Sequence, residues 1–137
     1  MSVEDTLAGV PLFSEVSRRH LGRLAKAIVP RHFTRGDVIV KEGEQAVAFY
    51  IISKGKAEVV KGEQRLATLG AGDFFGEMSL LDGYLRSASV RALEDSECLV
   101  LSRWDFLAEL RTSAHIAVAM LPVLSRRLRE ADERSSM

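Results

Sequence analysis

The chain has 137 residues, of which 47% are hydrophobic and 28% charged, so it is long enough for one globular domain with a core. Nineteen basic residues balance nineteen acidic ones, which gives no electrostatic reason to expect direct binding of nucleic acid. The single cysteine, Cys98, excludes an internal disulfide. The acidic N-terminus and the lack of a long apolar run argue against a signal peptide and a membrane partner, so we expect a cytoplasmic protein.

The N-terminal region is predicted to be helical. Residues 3–9 can form a helical turn, and Leu21, Leu24 and Ile28 recur at helical spacing, so an amphipathic helix is expected over about 17–28. His20 lies on this helix. We interpret it as a surface or partly packed residue rather than a metal ligand, because no second His or Cys follows at metal-binding spacing.

From Val29 the hydrophobic period changes to two, which is typical of strands. Short apolar runs alternate with Gly-containing turn signals, and a hairpin turn is predicted at 61–64. The predicted strands cover 38–40, 49–52, 57–60, 65–69, 88–93 and 98–101. Many short strands at regular spacing predict an antiparallel β-sandwich or β-roll.

The C-terminal region is again helical in pattern. A short helix is predicted over 103–111, and a longer one, capped by Thr112 or Ser113, running to about residue 130, with a polar tail expected to fray. Pro122 lies inside the longer helix, where a kink or break is expected because proline removes one hydrogen bond. One apolar stripe is predicted along this helix, formed by Ala117, Leu121, Leu124 and Leu128.

The stretch 74–90, FFGEMSLLDGYLRSASV, carries the candidate chemistry. Gly76 permits close approach of a ligand to the backbone, a short helix starting at Glu77 would present free N–H groups, and Arg86 offers a forked cation that suits phosphate. A carboxylate beside phosphate would be repelled, so Glu77 is expected to face a sugar hydroxyl. The alternative is that Glu77 and Arg86 form a structural ion pair with no ligand.

Phe-Gly-Glu-Met-Ser-Leu-Leu followed by Arg-Ser-Ala-Ser-Val resembles the phosphate-binding cassette of the cyclic nucleotide-binding domain family, and the resemblance extends over about residues 12–128. It implies an α+β fold: an antiparallel β-roll (a double-stranded β-helix, jelly-roll-like) flanked by N-terminal and C-terminal helices. The whole chain, 1–137, would be a single domain. Its predicted parts are a helical segment 1–28, a β-roll 29–102 containing the cassette 74–90, and C-terminal helices 103–133.

The resemblance also implies a role for each cassette residue. Glu77 would accept the ribose 2′-hydroxyl, Arg86 would pair with the cyclic phosphate, and backbone N–H groups near Ser79 and Ala88 would point at that phosphate. Ser87 would contact the phosphate or the base edge, while Met78 and Val90, with Val59, would line an apolar base pocket. The implied ligand-binding set is Gly76, Glu77, Met78, Ser79, Arg86, Ser87, Ala88, Ser89 and Val90. Leu85 departs from the proline common in the family and permits a looser loop.

The function implied is that of a sensor that binds cyclic AMP or cyclic GMP, moves its C-terminal helix and signals to an unidentified output protein. Threonine after the arginine often accompanies cyclic GMP preference in the family, so Ser87 favours cyclic AMP. The scattered histidines, His20, His32 and His115, offer no metal site, and no enzymatic activity is expected. Two alternatives remain: the effector half of a catabolite activator-like transcription regulator without its DNA-binding domain, and a non-binding interaction module. Self-pairing of the long helix would make a homodimer.

Overall fold

The computed structural model describes residues 2–136. The chain divides into two compact units: a helical unit containing the residues up to Lys26 and from Leu107 onward, and a β unit from Ala27 to Phe106. In chain order, the elements of the described residues are α1 (Val3–Ala8), a 3-10 turn (Pro11–Phe13), α2 (Arg18–Lys26), β1 (Val29–Phe33), β2 (Val38–Val40), β3 (Ala48–Lys54), β4 (Lys56–Lys61), β5 (Gln64–Gly70), β6 (Phe74–Phe75), α3 (Ser79–Asp82), β7 (Ser89–Ala92), β8 (Ser96–Ser102), α4 (Arg103–Thr112) and α5 (Ala114–Ser136).

The β unit is built from two four-stranded antiparallel sheets. One has the strand order β1-β8-β3-β6 and the other the order β2-β7-β4-β5. The register places Tyr50 of β3 opposite Val100 of β8, and Val59 of β4 opposite Val90 of β7. The predicted fold class, an α+β domain with an antiparallel β-roll, is confirmed.

The core of the β unit lies between the inward faces of the two sheets. Alternate residues of β3 point into it because successive side chains of a strand face opposite sides. Ile52 on this face is fully buried, and burial of such a side chain contributes about 1.5–3 kcal/mol. The buried members of this cluster are Ile39, Ala48, Tyr50, Ile52, Ala57, Val90, Ala92, Cys98 and Val100.

The helical unit is organised by the apolar faces of its helices. α1 begins with a capping box in which the side chains of Ser2 and Asp5 bond to each other's backbone N–H. α1 packs on α2, and α5 packs on the 3-10 turn. On α5, Ile116, Met120 and Val123 recur at helical spacing and are buried.

Three helix predictions differ from the structure. α5 continues through Pro122 without a break, although proline has no N–H to donate to the carbonyl of Val118. The predicted apolar stripe does not form the buried face of α5. Leu121 and Leu128 are exposed, whereas the buried residues are Ile116, Met120 and Val123. The cassette helix α3 begins at Ser79 and not at Glu77.

None of the helices within residues 2–136 is by itself long and apolar enough to cross a membrane; only the consecutive helices α4 and α5, taken as a bent pair, meet the criteria of length and composition.

Candidate functional site

The cassette is a turn–helix–turn segment of the β unit. β6 ends at Phe75, and Gly76 follows with φ +84°, a left-handed conformation that side-chain-bearing residues rarely adopt. α3 then spans Ser79–Asp82 and ends at Gly83, a left-handed C-cap whose N–H donates to the carbonyl of Ser79. These two glycines set the path of the backbone that leads to Arg86.

Arg86 lies half-buried beside this segment. Its Nη2 donates to the carbonyl oxygen of Ala48 at 2.6 Å, and its Nη1 to Oγ of Ser79 at 3.4 Å. Burial lowers the pKa of Arg86, and the nearby Tyr50 hydroxyl partly opposes that shift. A desolvated guanidinium of this kind gains from an anion that can replace its lost hydration.

An aromatic stack supports the guanidinium. The Tyr50 and Phe75 rings are nearly parallel, at an interplanar angle of 8° with centroids 4.9 Å apart, and Cζ of Arg86 lies 5.8 Å from the Tyr50 centroid. Burial raises the pKa of Tyr50, so its ring stays neutral at physiological pH. The neutral π face favours a cation above it and helps to orient Arg86.

A cavity of about 200 Å³ opens at Arg86. Six residues of the predicted ligand-binding set line it: Gly76, Ser79, Arg86, Ser87, Ala88 and Val90. Val59, predicted as part of a base pocket, lines it as well. The cavity therefore combines one cation and two hydroxyls with apolar walls, which is the composition of a site for a small anionic ligand with an apolar portion.

Three residues of the predicted set do not belong to this lining. Met78 is 41% exposed, and Glu77 is half-buried next to it in the cassette turn. Ser89 accepts a hydrogen bond from the backbone N–H of Glu42 at 2.9 Å, so its hydroxyl supports the loop. The backbone N–H of Ser79, expected near the phosphate, donates to the carbonyl of Gly76 at 3.1 Å, because the turn before α3 uses it.

Three further lining residues were not assigned to the site from the sequence: Val40, Phe75 and Leu85. Phe75 belongs to the Phe-Gly-Glu segment, so its position beside Gly76 could have identified it. Val40 lies on β2 and reaches the cavity because β2 pairs with β7 opposite Val90. No local pattern in the sequence indicates that pairing.

A second polar cluster lies on β4, β5 and β7. Glu58 is 3% exposed, and both of its carboxylate oxygens are bonded, one to Arg91 and the other to Arg65. Hydrogen bonds from Arg91 and then Arg65 lower the pKa of Glu58. This carboxylate is already satisfied within the fold, so we interpret the cluster as structural.

The helical unit has a cavity of about 260 Å³ lined by His20 and His115. Their ring centroids are 5.1 Å apart, and Nδ1 of His20 lies 2.6 Å from the hydroxyl of Ser17. The sequence did not indicate this pairing, because the two histidines are far apart along the chain. Among residues 2–136, no three His, Cys, Asp or Glu side chains are grouped to hold a metal ion.

Comparisons of sequence and structure relate the chain to known proteins. The family model described as cyclic nucleotide-binding domain matches residues 30–113. A cyclic AMP receptor protein of Thermus thermophilus is 39% identical over 131 residues, which cover 92% of this chain and 61% of that protein. A cAMP-dependent protein kinase regulatory subunit of Hypocrea atroviridis is 35% identical over 100 residues, which cover 73% of this chain and 22% of that protein. The chain therefore spans less than two thirds of the length of either relative.

A solved structure described as the N-terminal domain of a transcriptional regulator from Streptomyces coelicolor A3(2) superposes with a TM-score of 0.88 at 27% identity, covering 96% of this chain and 95% of that one. The Thermus thermophilus catabolite activator protein superposes with a TM-score of 0.69 at 38% identity, covering 92% of this chain and 62% of that one. Because the family model covers more than half of the chain and contains the whole cassette, the chain belongs to the cyclic nucleotide-binding domain family.

Proposed function

We propose that the cavity at Arg86 binds a cyclic purine mononucleotide and that the domain acts as a regulatory sensor without covalent chemistry. The observation that carries this proposal is the half-buried guanidinium of Arg86, which faces a cavity together with Gly76 and two serines. Burial of a cation is costly unless an anion compensates it. A singly charged cyclic phosphate suits such a site.

In this proposal the phosphate takes the donors that Arg86 now gives to Ala48 and Ser79. A charged acceptor makes a stronger hydrogen bond than a carbonyl or a hydroxyl does, so the exchange is favourable. The Ser79 and Ser87 hydroxyls and the backbone N–H of Ala88 supply further donors around the same cavity. Ser89 stays with the loop at Glu42 and supports the site indirectly.

Glu77 is proposed to accept the ribose 2′-hydroxyl, as the family resemblance implies. Val59 and Val90, together with Val40, supply apolar surface for the base, and the exposed Met78 borders the cassette. The cavity of about 200 Å³ is smaller than the roughly 300–1,000 Å³ of typical small-molecule sites. It therefore suits the sugar and phosphate, and the base would need a further cover.

Cyclic AMP is the proposed ligand in preference to cyclic GMP. The preference rests on Ser87, which has a hydroxyl but lacks the methyl group of the threonine that often accompanies cyclic GMP preference in the family. The relatives include both cAMP-dependent and cGMP-dependent protein kinases by name, so the two ligands need to be compared directly.

The proposed output is a movement of α5. A helix that gains contacts with the ligand only in a closed position would cover the base and shift its own equilibrium on binding.

Self-pairing of α5 with a second copy is a separate proposal. α5 exposes Val118, Leu121 and Leu128, whose spacings of three and seven match an a/d seam, and this pattern supports pairing. Sedimentation analysis of a Leu121→Glu protein tests this pairing: a monomeric parent protein would refute it.

A second candidate function is that of the effector half of a transcription regulator. It is favoured by the superposition on the N-terminal domain of a transcriptional regulator, in which nearly all of both chains is covered. In that case the nucleotide would still bind at Arg86, and the output would be a DNA-binding domain elsewhere in the protein. This candidate changes the partner and leaves the ligand the same.

The decisive experiment is calorimetric titration of the protein with cyclic AMP and cyclic GMP in parallel, with linear 5′-AMP as the matched control. We expect one site, tighter binding of cyclic AMP, and weaker binding of the linear nucleotide, whose phosphate lacks the cyclic geometry. Failure of both cyclic nucleotides to bind would refute the sensor proposal and leave the non-binding interaction module.

A further inference from the structure

The cassette helix α3 is bonded near both ends by arginine side chains. At its start, the hydroxyl oxygen of Ser79 accepts a hydrogen bond from Arg86 at 3.4 Å. Near its end, the carbonyl oxygen of Leu81 accepts a hydrogen bond from Nη2 of Arg103 at 3.2 Å. The last carbonyls of a helix lack partners within the helix and carry partial negative charge, so a guanidinium there is a favourable cap. Arg86 at the cavity and Arg103 outside it therefore share one short helix.

Gly83 lets Arg103 lie directly on the backbone of the cassette. It is buried and has φ +61°. A Cβ added there would lie 3.1 Å from Nε of Arg103 and 3.3 Å from its Cδ and Cζ, which is closer than ordinary van der Waals contact. The absence of a side chain at Gly83 is thus what permits the guanidinium to reach Leu81.

The two arginines also share a second element. The backbone N–H of Arg103 donates to the carbonyl of Val47 at 2.8 Å, and the carbonyl of the next residue, Ala48, is the one that accepts Nη2 of Arg86. Arg103 is the first residue of α4. Arg86 and Arg103 are therefore bonded to the same two segments, α3 and the start of β3.

One donor of Arg103 is not satisfied by this arrangement. Within residues 2–136, its Nε is buried and has no hydrogen-bond partner. An unpaired buried donor on a charged group is unfavourable, and such atoms are rare in folded proteins. A shift that brings an acceptor to Nε of Arg103 would therefore be favoured.

We propose that Arg103 is a positioning residue that couples α3 to the first turn of α4. When Arg86 leaves Ser79 and Ala48 for a phosphate, α3 is released at its start. Because Arg103 holds the other end, the displacement is passed to α4. This inference rests on the proposed function, since the ligand phosphate is what draws Arg86 away.

The test compares amide hydrogen exchange over residues 103–112 with and without saturating cyclic AMP in the parent, Arg103→Met and Arg103→Lys proteins. Arg111→Met, at the exposed C-terminal end of the same helix, is the matched control. We expect Arg103→Met to bind within fivefold of the parent and to lose at least two thirds of the ligand-induced exchange change. Arg103→Lys, which keeps a donor for Leu81, should recover part of it.

Two outcomes overturn the coupling. The first is an unchanged ligand response of α4 in Arg103→Met. The second is a loss of affinity of more than tenfold in that protein, which would place Arg103 in the binding site itself. If Arg103→Met fails to fold, Arg103→Gln, which is shorter and uncharged, is judged by the same two criteria, and Arg111→Met remains the control.

A ligand-free measurement separates this inference from the proposed function. Arg86→Met, Arg103→Met and the double variant are unfolded in urea, and the three changes in the unfolding equilibrium constant are compared as a double-mutant cycle. Non-additivity of at least fivefold supports the coupling even if the parent binds no cyclic nucleotide. Additive effects refute the coupling whether or not the nucleotide binds.

Discussion

Nη2 of Arg86 donates a hydrogen bond of 2.6 Å to the backbone carbonyl of Ala48, on the strand next to the cassette. This bond holds the guanidinium at the cavity in a defined orientation without the need for a ligand. A carbonyl oxygen carries only a partial charge, so a phosphate oxygen is the stronger acceptor for the same donor. The Arg86–Ala48 pair therefore pre-orients the cation and leaves it exchangeable, and the predictions on binding follow from that property.

Arg86→Ala is expected to leave the fold intact and to weaken binding of cyclic nucleotide. Removing one partner of a buried, hydrogen-bonded charge pair costs roughly 2–5 kcal/mol, or about 30-fold to a few thousand-fold in Kd. Calorimetric titration measures the change, with Arg35→Ala, in an exposed turn, as the control. An affinity within threefold of the parent would show that Arg86 is not the phosphate ligand.

Gly76→Ala tests whether Arg86 must keep its present position. The added Cβ would overlap Nη1 of Arg86 and would lie 3.2 Å from the carbonyl of Ala48. Gly36→Ala is a close control, because Gly36 has a similar φ of +93° but nothing within 4 Å of its added Cβ. Both variants bear the cost of a left-handed residue, about 1–2 kcal/mol, which is measured by thermal unfolding.

Only Gly76→Ala is expected to weaken cyclic nucleotide binding, by about tenfold or more, since only it displaces the guanidinium; tenfold corresponds to about 1.4 kcal/mol. If Gly36→Ala reduced the affinity equally, the loss would come from general destabilisation of the β unit, and the close packing at Gly76 would carry no functional meaning.

The sequence predicted the architecture well where the hydrophobic period is strong. The strand region was expected over 29–102, and β1 begins at Val29 and β8 ends at Ser102. β1 was not recognised as a separate strand, because Arg31 and His32 are exposed and its burial shows no alternation. Two-residue β6 is too short for any period to appear and is set by its pairing with β3.

The lining of the cavity at Arg86 was predictable in its residue types and not in its contacts. Glycine, arginine and small residues within 74–90 indicated an anion site by their chemistry, and five of them, together with Val90, line one cavity. The acceptor of Arg86 is a backbone carbonyl of Ala48, and any residue presents such a carbonyl, so the sequence carries no signal for it. The bond from Arg103 to the backbone carbonyl of Leu81 was not predictable for the same reason.

Glu58 is expected to make the stability of the β unit depend on pH. Arg91 first, and Arg65 second, lower the pKa of Glu58 below its ordinary value of 4.5. A carboxyl with a depressed folded-state pKa stabilises the fold above its unfolded pKa, and this contribution is lost as the pH falls through the folded-state value. The difference in the free energy of unfolding between the parent and Glu58→Gln should therefore be large at neutral pH and smaller in acid.

Urea unfolding measures this difference in the free energy of unfolding at neutral pH and at about pH 3, which lies below the ordinary pKa values of carboxyl groups. Glu63→Gln is the matched control, because Glu63 and Glu58 both line a surface cavity beside Arg65 and Arg91, but Glu63 is exposed. If the difference in the free energy of unfolding were the same at both pH values, the charge of Glu58 would be unimportant, and only the shape and hydrogen bonds of its side chain would contribute to stability.

Glu77 is expected to discriminate between ribose and deoxyribose. If its carboxylate accepts the 2′-hydroxyl, 2′-deoxy cyclic AMP should bind the parent more weakly, by about 1.5–3 kcal/mol for a hydrogen bond to a charged group. Glu77→Gln should narrow this difference, because a neutral acceptor makes the weaker bond. Glu94→Gln, in an exposed turn, should leave it unchanged. Equal affinity of the parent for both nucleotides would restrict Glu77 to a structural role.

The C-terminal part of α5 is expected to cover the bound base. The cavity of about 200 Å³ is too small to enclose a whole nucleotide, so a cover would gain contacts that only the closed form offers. α5 runs unbroken through Pro122. We propose that a side chain within 124–127 acts as the cover. Ending the chain after Val123 should weaken binding of cyclic AMP by about tenfold, whereas ending it after Arg129 should not.

Hydrogen exchange should also show residues after Pro122 becoming protected when ligand is added. Identical exchange with and without saturating ligand would mean that α5 contributes to the fold alone.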